Sequence, residues 1–107
     1  MKIAVPLFGD RISPYFGASS EILLIETRGP TVAKRSTLHF GGGGPEQMAR
    51  FVSSFEVDTI LCGGIQSSQK EWLKDNGIRV VDNLKGPAEK RVAEMIAQEA
   101  KQLNQRR

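Results

Sequence analysis

Several residue types that often carry chemistry are nearly absent from this sequence of 107 residues. It has one cysteine, one histidine, one tryptophan and one tyrosine. The single cysteine, Cys62, excludes an internal disulfide, so the fold must depend on its apolar core. Neither an export leader nor an apolar run long enough to span a bilayer is recognisable. We therefore expect one cytoplasmic domain over residues 1–107, with no membrane partner.

The excess of positive over negative charge is also small, because the formal net charge is only +3. The excess lies between residues 85 and 107 and ends in a basic tail at about 101–107. No basic run in this segment alternates with aromatic residues, as it does in many nucleic-acid-binding proteins. A solvated helix with a basic end explains the pattern, so we expect no nucleic-acid partner.

Hydrophobic periodicity predicts alternating strands and helices. A period of two or a short apolar run indicates a strand, and a period of 3.6 indicates a helix. The predicted strands cover residues 2–6, 21–27, 31–38, 59–62 and 78–81. The predicted helices cover residues 45–55 and 68–76 and a final segment that begins at Gly86-Pro87. Lys34 and Arg35 place the third strand at a sheet edge, where charge deters further pairing.

The predicted order, β-β-β-α-β-α-β-α, defines an α/β fold. Two antiparallel connections followed by right-handed crossovers give a mixed five-stranded sheet with helices on both faces. Ligands in such sheets bind beyond the carboxyl ends of the strands, here where the first strand lies beside the fourth. We expect three loops to meet at this edge, over residues 9–17, 39–45 and 62–67.

Glycines cluster in these loops, as the run Gly41–Gly44 before a helix and the pair Gly63-Gly64 after a buried strand. Glycine exposes backbone N–H groups, and a helix N-terminus adds partial positive charge, so together they favour an anionic ligand. Tight strand-to-helix turns need glycine without any ligand as well. The run matches neither a Walker A loop nor the G-x-G-x-x-G pattern of a dinucleotide site.

Three motifs together resemble the dinitrogenase iron–molybdenum cofactor biosynthesis family. They are Ser13-Pro14-Tyr15-Phe16-Gly17, His39 before the glycine run, and Cys62-Gly63-Gly64-Ile65. The resemblance covers nearly the whole chain up to the basic tail. It implies a ribonuclease H-like fold of three layers. It also implies a non-catalytic protein that binds or carries metal–sulfur clusters, particularly molybdenum-containing ones. The partners that the resemblance implies are cofactor-assembly proteins.

This resemblance, with the glycine loops, defines a set of cofactor-binding candidates. They are Tyr15, Phe16, His39, Gly41, Gly42, Gly43, Gly44, Cys62, Gly63 and Gly64. Many cofactor-binding relatives carry histidine where Tyr15 stands, in a Ser-x-His-Phe-Gly pattern, and tyrosine does not replace it as an ordinary ligand for a soft metal.

His39 and Cys62 remain as candidate metal ligands. Two such ligands do not complete a structural zinc site, whereas a preassembled cluster brings its own sulfides and needs fewer anchors. Both residues also have purely structural explanations. Cys62 can serve only as a small apolar residue that fills space at the end of a buried strand, and His39 can form a hydrogen bond with the loop backbone.

Catalysis is the competing class of function. Nucleases with a ribonuclease H-like fold gather carboxylates around metal ions, beginning on the first strand, and residues 2–6 contain none. Sequence spacing shows no nucleophile with its base, although it leaves open a pairing of Cys62 with His39 in space. We therefore expect no enzyme. The alternative that we retain is a regulatory module whose glycine loops bind phosphate or a nucleotide.

Overall fold

The computed structural model describes the chain from residue 1 to residue 105, with side chains up to residue 102. These residues form six strands and three helices. The strands are β1 (Lys2–Phe8), β2 (Arg11–Ile12), β3 (Glu21–Arg28), β4 (Thr31–His39), β5 (Thr59–Leu61) and β6 (Arg79–Val81). The helices are α1 (Gly44–Ser53), α2 (Ser67–Asp75) and α3 (Ala88–Gln105). Of the predicted basic tail, residues 106–107 lie outside the described residues.

The sheet is mixed, and its central strands have the predicted neighbours. The strand order is β4-β3-β1-β5-β6, with β2 paired to β1 beside this path. β1 pairs antiparallel with β3 and parallel with β5, where Ile3 lies opposite Thr59. The predicted juxtaposition of the first strand and the strand after α1 is therefore confirmed, as is the mixed α/β class.

One strand was not predicted, because the sheet has six strands instead of five. β2 contains only two residues, and it returns along β1 through a turn at Gly9, whose φ is +64°. A strand of this length is too short to show a hydrophobic period, and it forms because the turn places Ile12 opposite Leu7.

Alternate residues of β1 face two separate cores, which makes the fold a sandwich of three layers. Ala4 packs in the core beneath α1 and α2, which includes Met48 from α1. Ile3 and Val5 pack in the core beneath α3. Each fully buried aliphatic side chain contributes about 1.5–3 kcal/mol by leaving water. The predicted helices on both faces are confirmed, while the ribonuclease H-like label stays a prediction.

β4 forms the outer edge of the sheet, as predicted from its charged residues. The guanidinium of Arg35 contacts Glu89 of α3 at 2.8 Å, and both side chains are exposed. An exposed pair of this kind contributes little to stability, so its main effect is to keep charge on the edge. Within the described chain, no helix has both the length and the apolar character needed to cross a membrane.

Candidate functional site

Two of the three predicted loops are joined by backbone hydrogen bonds beyond the ends of β1 and β5. We call residues 13–18 the Tyr15 loop and residues 62–66 the Gly64 loop. The N–H of Gly64 donates to the carbonyl oxygen of Pro14 at 2.7 Å, and the N–H of Phe16 donates to that of Gly64 at 2.8 Å. These bonds form a parallel bridge between Tyr15 and Gly64. The two loops therefore form one continuous wall.

Two glycines permit the close contacts between the loops. A Cβ atom added to Gly63 would lie 2.5 Å from the carbonyl oxygens of both Ser13 and Pro14. A Cβ atom added to Gly17, whose φ is +98°, would lie 2.5 Å from the Cα atom of Pro45, at the start of α1. Real Cβ atoms do not approach this closely, so both positions require glycine. Through Gly17, the Tyr15 loop also contacts the end of the glycine run.

The three connections surround an open depression of about 440 Å³. Its walls are mostly apolar, and none of its lining residues carries a charged side chain. The lining residues are Tyr15, Phe16, Gly17, Ala18, Pro45, Gly64, Ile65 and Gln66. Tyr15 is 71% exposed, whereas Phe16 is buried in the core beneath α1 and α2. The depression thus offers a solvated aromatic side chain at its border.

Two helices begin at this depression. α1 starts at Gly44 and α2 at Ser67, and the adjoining residues Pro45 and Gln66 both line the depression. The N-cap residue of neither helix makes a side-chain capping hydrogen bond. The first N–H groups of a helix have no partner within the helix and carry partial positive charge. Pro45, the residue of α1 that lines the depression, has no N–H to donate, so the start of α1 offers an anion its partial positive charge and the start of α2 offers N–H groups as well.

The glycine run lies at the start of α1, but none of its four residues lines the depression. Gly41, Gly42 and Gly43 are exposed and lie outside the lining set, whereas Gly44 is the first residue of the helix. Gly43 is the N-cap residue with φ +114°, a left-handed conformation that L side chains rarely adopt. The run thus shapes the helix start, and its predicted contact with a ligand stays a prediction.

His39 lies at the same end of the sheet but does not line the depression. It is exposed and ends β4, whose preceding residue, Leu38, packs against the core beneath α1 and α2. Because strand side chains alternate between faces, His39 points to the α3 side of the sheet. Cys62 follows β5 and belongs to the core on the other side.

The structure does not bring His39 and Cys62 together. Three strand spacings separate β4 from β5, a distance of about 14 Å. The two side chains also lie on opposite faces of the sheet, so they share no metal ion and form no nucleophile–base pair. Within the part of the chain whose side chains are described, no group of three or more His, Cys, Asp or Glu side chains is arranged to hold a metal ion.

Cys62 is only 1% exposed, and this burial sets the protonation state of its thiol. Burial, together with the smaller effect of the negative charge of Asp82, raises the pKa of its thiol from 9.0 to about 12, and Lys70 opposes this rise. Lys70 and Asp82 form an ion pair at 3.1 Å. At neutral pH the side chain is therefore a protonated thiol, whereas a metal ligand must be a thiolate. Its role as a ligand stays a prediction, with burial and protonation against it.

Sequence reasoning missed five of the eight lining residues. Gly17, Ala18, Pro45, Ile65 and Gln66 were not among the candidate residues, although each lies within two positions of one that was. They contribute backbone and apolar surface instead of reactive groups. Their only signal in the sequence is their position, within or next to the motifs and the predicted loops.

A family model described as dinitrogenase iron-molybdenum cofactor matches residues 1–99. The structure is similar to that of PH0822, with 21% identity and a TM-score of 0.86, covering 92% of this chain and 90% of that one. It is also similar to MJ0327 from Methanocaldococcus jannaschii, with 19% identity and a TM-score of 0.74, covering 92% and 90%.

A third similar structure is the apo form of the orange protein from Desulfovibrio gigas. Its identity to this chain is 15% and the TM-score is 0.72, with 92% of this chain and 88% of that one covered. At such identities these likenesses establish the fold alone. No curated protein matches the chain.

Proposed function

The chain belongs to the dinitrogenase iron-molybdenum cofactor family, and from this premise we propose that it is a non-catalytic binding or carrier protein for a metal–sulfur cluster, or a precursor of one, in metallocofactor assembly. One observation carries the proposal. An open depression without charged side chains lies where two helices begin with no side-chain cap. Such a site suits an anion that brings its own metal ligands and needs only positioning and compensation of charge.

The surface of the depression favours a bulky, polarisable anion. Apolar walls formed by Phe16, Ile65 and Pro45 favour a ligand that loses little on leaving water. A small oxyanion is strongly hydrated, and sites for such ions commonly supply arginine or lysine side chains. Sulfide-rich clusters that contain molybdenum, iron or copper combine negative charge with a large soft surface, so they fit this wall better.

Within the proposed site, Tyr15 acts by hydrogen bonding and not by coordination. Its phenol is exposed at the border of the depression, and its O–H donates to an oxo or sulfido group of the cargo. The peptide that carries it is held by the bridge to Gly64. Because the depression is open, a partner that delivers or accepts the cluster in the cytoplasm can approach the same side.

The proposal is tested by loading the full-length protein with tetrathiomolybdate under anaerobic conditions. We expect retention of about one equivalent of molybdenum after gel filtration, with a visible charge-transfer band. Tyr15→Ala should weaken retention, and His39→Ala, on the other face of the sheet, serves as the matched control with unchanged retention. A protein that folds normally but retains no molybdenum, or equal loss in both variants, would overturn the assignment.

A phosphate- or nucleotide-binding module is the second candidate function for this depression. The two uncapped helix starts favour it, because they bind phosphate as readily as other anions. The absence of arginine and lysine from the lining residues weighs against it. Competition separates the candidates. Displacement of bound thiomolybdate by millimolar phosphate or nucleotide would favour the module, and insensitivity to both favours the carrier.

A further inference from the structure

A second concave surface lies on the outside of the molecule, between α1 and α2. This groove has a volume of about 320 Å³ and is lined by Glu46, Ala49, Arg50, Ser68, Gln69 and Trp72. It shares no lining residue with the depression at the Tyr15 loop. Its volume falls within the range of sites for small molecules. Unlike the first depression, it combines an aromatic ring, an amide and a guanidinium.

Gln69 lines this groove and carries a polar atom without a partner beneath the surface. Its Oε1 atom is buried and has no hydrogen-bond partner within the described part of the chain. A buried acceptor without a donor destabilises the protein, so natural folds seldom keep one. Rotation of the side-chain amide toward the groove would let a bound molecule donate the missing hydrogen bond.

Trp72 is the only tryptophan of the chain, and its ring lies outside both hydrophobic cores. The residue that α2 buries is its neighbour, Leu73, whereas Trp72 is 37% exposed and borders the groove. An exposed indole face stacks well on a planar heterocycle, and stacking of this kind tolerates any base.

Arg50 supplies positive charge on the opposite wall. It contacts Glu46, one helical turn earlier, at 3.3 Å, and both side chains are exposed. Exposed pairs at this spacing are weak, so the guanidinium can exchange its partner at little cost. A phosphate group is a better partner, because it accepts two parallel hydrogen bonds from the planar guanidinium.

We propose that the groove between α1 and α2 binds a nucleotide. The base stacks on Trp72 and donates an N–H to the amide oxygen of Gln69, while the phosphate contacts Arg50. Binding is noncovalent and independent of the glycine loops. The site goes beyond the proposed carrier function, and it stands or falls separately because no residue is shared.

The test adds adenosine monophosphate to the full-length protein. Binding is detected through the single indole N–H resonance, that of Trp72, in a proton–nitrogen correlation spectrum. We expect a saturable shift in the wild type. Gln69→Leu should weaken binding about tenfold without lowering the melting temperature, since it replaces an unpartnered amide by an apolar group. Gln66→Leu is the matched control, because Gln66 lines the other depression, and its affinity should equal that of the wild type.

Arg50→Ala gives a second readout that does not depend on the core, since Arg50 is exposed. It should weaken binding of adenosine monophosphate severalfold and leave that of adenosine unchanged. The proposal is overturned by any of three results in folded protein. These are no saturable shift with adenosine monophosphate, equal affinity in Gln69→Leu, or ribose 5-phosphate binding as tightly as the nucleotide. Retained nucleotide binding in a Tyr15→Ala variant that has lost thiomolybdate would confirm that the two sites are separate.

Discussion

Tyr15 and Gly64 form a parallel bridge beyond the ends of β1 and β5, so two loops are joined as neighbouring strands would be. The hydroxyl of Ser13 also donates to the carbonyl oxygen of Tyr15 at 3.1 Å. The backbone of Tyr15 is thus held from both sides while its side chain stays largely in solvent. Ordered backbone beneath an exposed aromatic ring is what a preorganised binding edge requires.

Gly63→Ala tests the contact between these loops. The added methyl group would lie 2.5 Å from two carbonyl oxygens of the Tyr15 loop, so we expect the free energy of unfolding to fall by about 2–3 kcal/mol. Gly41→Ala is the control, because its Cβ atom would meet nothing within 4 Å and its φ is not positive. Urea denaturation measures both. A stable Gly63→Ala variant would show that the loops are not tightly apposed.

Tyr15→His restores the histidine that the Ser-x-His-Phe-Gly pattern carries. An imidazole nitrogen is a good ligand for transition metals, whereas the neutral phenol is not, so we expect about tenfold tighter retention of a molybdenum–copper or molybdenum–iron sulfide. Equilibrium dialysis with metal analysis measures the change. Tyr15→Phe is the matched control and should bind more weakly than the wild type. If Tyr15→His and Tyr15→Phe behave alike, the cargo does not contact this position.

Cys62 makes stability depend on pH in alkaline solution. Because its pKa is about 12 in the folded protein and 9.0 ordinarily, the unfolded chain loses this proton first as the pH rises. The contribution of this thiol to the free energy of unfolding is therefore fully present below pH 9.0. Between pH 9.0 and about 12 that contribution falls by about 1.4 kcal/mol per pH unit. We expect wild-type stability to fall more steeply than that of Cys62→Ala. Parallel curves from urea denaturation would refute this.

Asp82→Asn tests the electrostatic part of the same shift. The carboxylate of Asp82 raises the pKa of Cys62 and Lys70 lowers it, so removing the carboxylate charge should lower this pKa. The thiolate absorbance in the ultraviolet, with Cys62→Ala as the blank, measures the titration of the folded protein. Lys70→Met should move the pKa the other way. Identical titrations in the three proteins would mean that burial alone sets it.

Local pattern was enough to predict most of the architecture. The order of the main elements, the parallel neighbours β1 and β5, the exposed edge at β4 and the convergence of the loops all follow from periodicity, turn residues and the handedness of crossovers. These signals act over a few residues or through topological rules, so a single sequence contains them. The strand β2 was not predicted, because two residues are too few to show a hydrophobic period.

What only the tertiary structure decided is which side chains share a space. His39 ends β4 and Cys62 follows β5 at the same end of the sheet, yet the order of the strands places them about 14 Å apart and on opposite faces. Packing likewise buries Phe16 while leaving Phe8 exposed, and it places Trp72 and Arg50 on opposite walls of one groove between two helices. Strand register and helix packing depend on residues far apart in the chain, and no local pattern encodes their relative position.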